Sequence, residues 1–404
     1  MTTALMDQKH GSMDAIPGAF EGRDMLCFSH DWSGDPLSKT HLMRLLARRN
    51  RVLWVNSIGY RAPTVSRKDI RRAFAKLSAA AAPIREPEPN IFVMNPLAIP
   101  AYGNPLIRKV NQRILRMQVR RAMRKLRFRR PINWVFNPAA AVVAGTLGEE
   151  RLIYYCVDEY TAFSGVSGGH LAQLEEQLLG RADLVIVSAE PLLQSKKQFN
   201  PRTILVRHGV DHAHFRKALG SGTQIPAEIA SLPHPIVGFF GLIADWVDVD
   251  LMAQVAKHFS TGSLVVLGRA TTDISVLQGI PNVHILGRKP YESLPAYCKG
   301  FDVAINPFRI NRLTINANPL KVREYLAAGL PVVSTGIPEV EALGACRIGR
   351  GTDGFMREIE EALKEPGPSA ARSDAMRSES WEERLNSISR HFEEMCGEKQ
   401  GSVA

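Results

Sequence analysis

Short apolar runs rich in β-branched residues alternate along the chain with longer segments whose apolar positions recur at helical spacing. In the first half the runs at 25–29, 51–55, 91–94, 134–137, 152–156 and 184–188 read as strands, with helices expected at 39–49 and 171–180 between them. A second series begins at Pro235 and continues through PIVGFF, SLVVLG, VHILG, DVAINPF and PVVST, with helices expected at 251–259, 294–298 and 320–328. This rhythm is that of parallel βαβ units. The stretch 220–235, rich in Gly, Ser and Pro, reads as a linker between the two series. The expected fold class is therefore α/β, with two Rossmann-like doubly wound domains facing across a cleft, since such sheets hold ligands at the carboxyl ends of their strands. The expected boundaries are a disordered start at 1–22, a first domain at 23–215, a second at 216–372 and a final segment at 373–396. That segment holds a helix candidate with no strand after it, so it is expected to pack back on the first domain.

Composition changes this picture little. A chain of 404 residues exceeds what one core usually supports, and 45% hydrophobic with 23% charged residues is ordinary for a globular protein. No apolar run reaches the roughly 18 residues that span a bilayer, and the first residues lack the apolar core of a signal peptide, so a cytoplasmic protein is expected. Five cysteines without CxxC spacing read as buried reduced thiols.

Charge changes it more. The net charge of +11 is uneven: residues 89–148 hold no acidic residue, and their eleven Lys or Arg all lie within 108–130. Ile107, Val110, Ile114 and Met117 stand at helical spacing among these cations. The helix reads either as one lying on an anionic membrane surface, with Arg120, Arg121 and Arg124 reaching headgroups, or as a domain helix with a solvated basic face. Nucleic acid is set aside as a partner, because no zinc-binding, RNP or helix-turn-helix pattern accompanies the charge.

The first strand leads into SHDWSGDPLSKTHL, where Gly34 is the only glycine, so a GxGxxG dinucleotide fingerprint is missing. The richest segment is PFRINRLTINANPLKVREYLAAGLPVVSTGIPEV, residues 307–340. Pro319 stands where a helix would begin, Asn318 can cap its amides, and Lys321 adds a full charge to the positive end of the dipole, a ready site for a diphosphate. Glu324 follows one turn on, and by residue type alone it also reads as a solvated helix carboxylate. Arg269 follows the strand SLVVLG and reads either as a bidentate phosphate clamp or as a free surface arginine.

This segment, together with VDEYTAF (157–163), RADLVIVSAEPL (181–192), RHGVDHAHF (207–215), GFFGLIADWVDVDLM (238–252) and PNVHILGRKPYESLPAY (281–297), resembles the GT-B glycosyltransferases of family 4 over nearly the whole chain. The resemblance implies an acceptor-side first domain and a second domain that binds a nucleotide-diphosphate sugar. It implies that Glu324 accepts two ribose hydroxyls and that Gly241, Gly287 and Arg288 join Lys321, Asn318 and Arg269 on the donor side. Asp35 and Glu159 become acceptor-side candidates. The nucleotide sugar is a co-substrate, so no cofactor is expected. The implied acceptor is a polysaccharide or a polyprenyl-diphosphate-linked glycan, met by a peripheral protein on the inner face of the cytoplasmic membrane during exopolysaccharide biosynthesis.

The chain also departs from the family. Many members carry two glutamates seven residues apart, but Ala317 stands seven before Glu324, and Leu242 and Val247 occupy the places of a basic pair. Phosphate neutralisation then falls to Lys321 and Arg269, with Arg309 or Arg312 as additions. These losses resemble the teichuronic acid and exopolysaccharide subgroup, which has a more distant similarity to the inverting xanthan glucuronosyltransferase. Asp158 aligns with the catalytic aspartate there, a carboxylate that would take the proton of the attacking acceptor hydroxyl. It also reads as a loop or capping aspartate. Asp248 and Asp250 form a DxD motif that chelates metal in the other glycosyltransferase fold, but here they open a helix, where acidic residues serve the dipole, so no metal requirement is expected. His208, His212 and His214 have a spacing open to zinc, without cysteine, and a structural role is preferred for them. Two other functions share these features: a sugar-nucleotide epimerase, and a non-catalytic nucleotide-binding scaffold at the membrane.

Overall fold

The computed structural model describes residues 18–58, 83–99, 104–163 and 168–401. The first sheet has eight strands: β1 (Asp24–Phe28), β2 (Arg51–Val55), β3 (Arg85–Glu88), β4 (Ile91–Met94), β5 (Ile132–Val135), β6 (Arg151–Cys156), β7 (Leu184–Val187) and β8 (Thr203–Leu205). Their spatial order is β3-β4-β2-β1-β5-β6-β7-β8, parallel except for the β3–β4 pair. The second sheet has six parallel strands: β9 (Ile236–Phe240), β10 (Ser263–Leu267), β11 (Val283–Gly287), β12 (Val303–Asn306), β13 (Val332–Ser334) and β14 (Arg347–Ile348), ordered β11-β10-β9-β12-β13-β14. Every residue of β7 and β9 is buried, which follows from helices covering both sheet faces. Phe28 pairs with both Val55 and Val135, so β1, β2 and β5 end level and their following loops gather on one edge.

Three strands fall outside the predicted set. The charged edge strand β3 and the short β8 and β14 bury too few apolar side chains to leave a pattern. Two boundaries also move. Val206 belongs to the first core while Val210 and Phe215 belong to the second, so the crossing comes before residue 215. The stretch 220–235 is no linker: it lies within the second domain, where Ile229 is buried in the core, because Gly and Pro mark surface loops as readily as domain junctions.

The final helix, Trp381–Gly401, returns to the first domain, burying Trp381, Leu385, Ile388, Phe392 and Met395 in its core. At the other end, the expectation of disorder through residue 22 is corrected for the described part. Gly18–Phe20 form a turn of 3-10 helix, and Phe20 is buried with its ring 4.8 Å from that of Phe392. Residues 1–17 lie outside the described residues.

The basic helix, Pro105–Leu126, starts on Asn104, whose side chain accepts from the amides of Leu106 and Ile107. Its buried stripe is Asn111, Leu115, Val119, Ala122 and Met123, one position round from the predicted apolar face. Val110 and Met117 are instead 41% and 63% exposed. Asn111 sets this rotation, because its amide both accepts from the Ile99 amide and donates to the Ile99 carbonyl, at 2.8 and 2.7 Å.

Candidate active site

One cleft of about 740 Å³ lies between the carboxyl edges of the two sheets. The first domain lines it with Asp35 in the loop after β1, with Lys39 on the first turn of the helix Ser38–Ala47, and with Asp158 after β6. The second lines it with Gly241 after β9, Gly268 and Arg269 after β10, Arg288 after β11, and the start of the helix Leu320–Ala327.

Glycine makes the second wall possible. Gly241 and Gly268 have φ of 130° and 149°, and a Cβ on Gly268 would stand 1.9 Å from the Gly241 carbonyl oxygen. A Cβ on Gly241 would meet the Lys321 ammonium at 2.9 Å. That ammonium rests over the rings of Phe239 and Phe308, 4.2 and 4.7 Å from their centroids. Burial brings Lys321 down to about 7, with Glu324 pulling the other way. Burial pushes Glu324 up to about 8 against the pull of Lys321, and Asp211 and Asp35 push it further. No side chain caps the helix below them, so its first amides remain for a ligand. Gly287 takes a φ of 70° and its carbonyl accepts from the Gly268 amide at 2.8 Å, so it shapes the wall through its backbone.

On the first wall Asp158 is half-buried, and burial raises it to about 6, opposed by Lys39. Its neighbours hold the backbone in place: the Ser188 hydroxyl donates to the Val157 carbonyl at 2.8 Å, and the Cys156 thiol donates to the Asp158 carbonyl at 3.3 Å. Glu159, expected on the acceptor side, does not line the cleft. Its carboxylate is buried, paired with the Lys196 ammonium at 3.1 Å and bonded by the Thr161 hydroxyl. Lys196 also meets Glu175 at 2.9 Å, and Glu175 accepts from the Tyr154 hydroxyl. Two buried carboxylates around one ammonium, which Cys156 and then the carboxylates raise against the effect of burial, form a structural knot beneath Asp158.

Several other candidates are placed differently from their sequence reading. Asn318 does not cap its helix: its amide donates to the Ser188 carbonyl at 2.8 Å and to Glu339, and its carbonyl accepts from Arg323. Glu339, buried, also accepts from the Glu190 amide and pairs with Arg207 at 2.7 Å, so Asn318 belongs to a polar clamp between the domains. Arg288 and Asp35, read as donor and acceptor contacts, pair with each other across the cleft mouth through two bonds of 2.5 and 3.1 Å. Arg309 meets Asp250 at 3.0 Å and Arg312 reaches Glu159 and Thr161, which leaves Lys321 and the exposed Arg269 as the cations of the second wall. Asp248 accepts from the Leu251 amide at 3.1 Å as the N-cap of Val249–His258. His212 and His214 donate to the carbonyls of Ser373 and Tyr291.

Among the lining residues that the sequence did not assign to the cleft are Lys39, His208 and Tyr291. Lys39 stands on the first turn of the helix Ser38–Ala47, just past the loop after β1 that the rule of carboxyl strand ends would have flagged. Tyr291 carried no such signal and the spacing of His208 with His212 and His214 pointed elsewhere; each has a buried polar atom, Nδ1 and the hydroxyl, with no hydrogen-bond partner among the described residues.

Residues 234–365 match the family model of group 1 glycosyl transferases, so the second domain is a group 1 glycosyltransferase domain. The teichuronic acid biosynthesis glycosyltransferase TuaH of Bacillus subtilis (strain 168) is 22% identical over 228 residues, 52% of this chain and 56% of that protein. The chain thus spans little more than half the length of this relative. Two solved structures share the GT-B fold at 13% identity. A sucrose-phosphate synthase of Thermosynechococcus elongatus superposes with a TM-score of 0.66, covering 93% of this chain and 99% of its own. An α,α-trehalose 6-phosphate synthase of Burkholderia multivorans gives 0.63, covering 94% and 98%.

Proposed function

We propose that this chain, a GT-B protein with a group 1 glycosyltransferase domain, transfers a sugar from a nucleoside-diphosphate donor to a hydroxyl of a polysaccharide or lipid-linked glycan acceptor. The observation that carries the reading is the pairing of opposed groups in one cleft: Lys321 and Glu324 on the second wall, Asp158 on the first. The donor diphosphate lies at the uncapped helix start beside Lys321, and Glu324 accepts the ribose hydroxyls. Asp158, ionised above about pH 6, takes the proton of the acceptor hydroxyl as its oxygen bonds the anomeric carbon. The bond from that carbon to the diphosphate breaks, and Lys321 offsets the charge that the leaving group gains. No metal enters this reading, because Asp248 and Asp250 are engaged by Leu251 and Arg309; activity that survives excess chelator is the matching expectation.

Nucleoside diphosphate released only when acceptor is present supports transfer, whereas an epimerase of this fold converts the donor alone. Glu324→Ala and Asp158→Asn, if both leave polymer synthesis unchanged in cells, remove the catalytic reading in favour of a scaffold. The name of TuaH supports a surface-polymer acceptor.

A membrane-facing role has its own support. Leu106 and Met117 are 70% and 63% exposed on the basic helix, beside Arg113, Arg116, Arg121 and Arg124. Apolar side chains among exposed cations suit a leaflet surface. Arg120 leaves this set, because it donates to the Thr146 carbonyl at 2.8 Å. Among the described residues no helix is long and apolar enough to cross a membrane, so attachment would be peripheral.

A further inference from the structure

The first wall holds a cation that the transfer chemistry does not use. Lys39 stands on the first turn of the helix Ser38–Ala47 and lines the cleft, half-buried. No carboxylate among the described residues forms an ion pair with it; Asp158 and the thiol of Cys27 act on it only through space, and burial keeps that thiol neutral. Leu37 precedes the helix and its side chain offers no acceptor, so the amides of Ser38 and Lys39 add partial positive charge at the same place.

A second side chain lies with it. His208 lines the same cleft and is only 5% exposed, yet its Nδ1 has no hydrogen-bond partner among the described residues. Burial holds its ring neutral, and Lys39 is among the cations that reinforce this, together with Arg323 and Arg384. Of the two acids of the loop, Asp35 is tied to Arg288 and Asp31 accepts from the Ser57 amide. A half-buried ammonium without an ion pair and a buried imidazole nitrogen without a hydrogen bond are costly, and an anionic ligand group that meets the ammonium, with the ring turned to donate to it, removes that cost.

We infer that Lys39 and His208 form an acceptor subsite for an anionic group, a phosphate or a carboxylate carried by the acceptor sugar beside the hydroxyl that Asp158 deprotonates. The inference rests on the transferase reading and names the acceptor class for it. A neutral sugar leaves both groups unpaired, so charge on the acceptor becomes a requirement for tight binding. The reaction that supplies the acceptor must then be one that phosphorylates a sugar, oxidises it to a uronate, or transfers such a residue.

The test uses the whole chain with glucose 6-phosphate, glucuronic acid and glucose as ligands, titrated calorimetrically beside a nucleoside-diphosphate glucose. At least one anionic sugar is expected to bind more tightly than glucose, and which one does so separates phosphate from carboxylate. Lys39→Met should weaken that binding by about tenfold to a hundredfold, the range of a hydrogen bond to a charged group. Lys39→Arg should restore most of it, His208→Asn should weaken it by a smaller factor, and melting temperatures would show that each variant is folded. Donor binding should stay unchanged in all three. Equal binding of charged and neutral sugars, or a Lys39→Met protein that keeps its preference, overturns the inference. Loss of anionic-sugar binding in Lys321→Met rather than in Lys39→Met also overturns it, by moving the anion to the donor wall. Failure of the wild-type chain to bind any nucleotide sugar removes instead the transferase reading beneath it.

Discussion

Lys321 and Glu324 stand on adjacent positions of one helical face and titrate in inverted order: burial brings the ammonium down to about 7 and pushes the carboxyl up to about 8. A donor that needs the cation for its diphosphate and the carboxylate for its ribose binds only the fraction of protein in which both are charged. Lys321 loses charge as pH rises through about 7, and Glu324 gains charge as pH rises through about 8. The doubly charged form is therefore most populated near about pH 7.5 and falls roughly sixfold by pH 6 and by pH 9, a change of about 1 kcal/mol in binding. Donor affinity should trace a bell. Calorimetric titration with a nucleoside-diphosphate glucose is the suitable assay, because its diphosphate is esterified at both ends and stays ionised across this range. Glu324→Gln should erase the acid flank and Lys321→Met the alkaline flank, with weaker binding at the maximum in both. An affinity that is flat between pH 6 and 9, or an acid flank that survives in Glu324→Gln, refutes the assignment of these two groups to the donor.

Asp158→Asn should lower the transfer rate by about 10²- to 10⁴-fold. In the wild type kcat/KM should fall as pH drops through about 6, where the base becomes protonated, and an unaltered pH–rate profile in the variant would exclude Asp158 as that base. Gly268→Ala forces a Cβ to 1.9 Å from the Gly241 carbonyl at a φ of 149°, so it should cost about 1–3 kcal/mol in urea unfolding and abolish nucleotide binding. Lys196→Met leaves Glu159 and Glu175 buried without their cation and should cost about 3–5 kcal/mol, which calorimetric melting measures. Asn318→Ala strips partners from Arg323 and from the Ser188 carbonyl, for about 1–3 kcal/mol and a separation of the two domains' unfolding transitions.

Both parallel sheets were legible in the sequence because their central strands are buried on two faces, and that burial writes itself as uninterrupted runs such as those of β7 and β9. The helix holding Lys321 and Glu324 was legible for a similar reason, since Pro319 and the apolar positions after it mark a start and a direction. Local pattern went no further. It set the apolar face of the basic helix one position off, because Asn111, a polar residue, fills a core position by bonding the backbone of Ile99.

What the tertiary structure alone decided is which polar groups are free. Asp35 and Arg288 are 253 residues apart and neutralise each other across the cleft; Asn318 bonds a carbonyl 130 residues away; and Glu159 turns inward to Lys196 while its neighbour Asp158 keeps the cleft. Hydrophobic periodicity is a property of each segment and survives in one dimension. The pairing of charges depends on how two domains meet, and it leaves no spacing in the sequence. The chain's order of residues therefore determined its two domains and the helix holding Lys321 and Glu324, while their packing selected Lys321, Glu324, Asp158 and Lys39 as groups left facing the cleft.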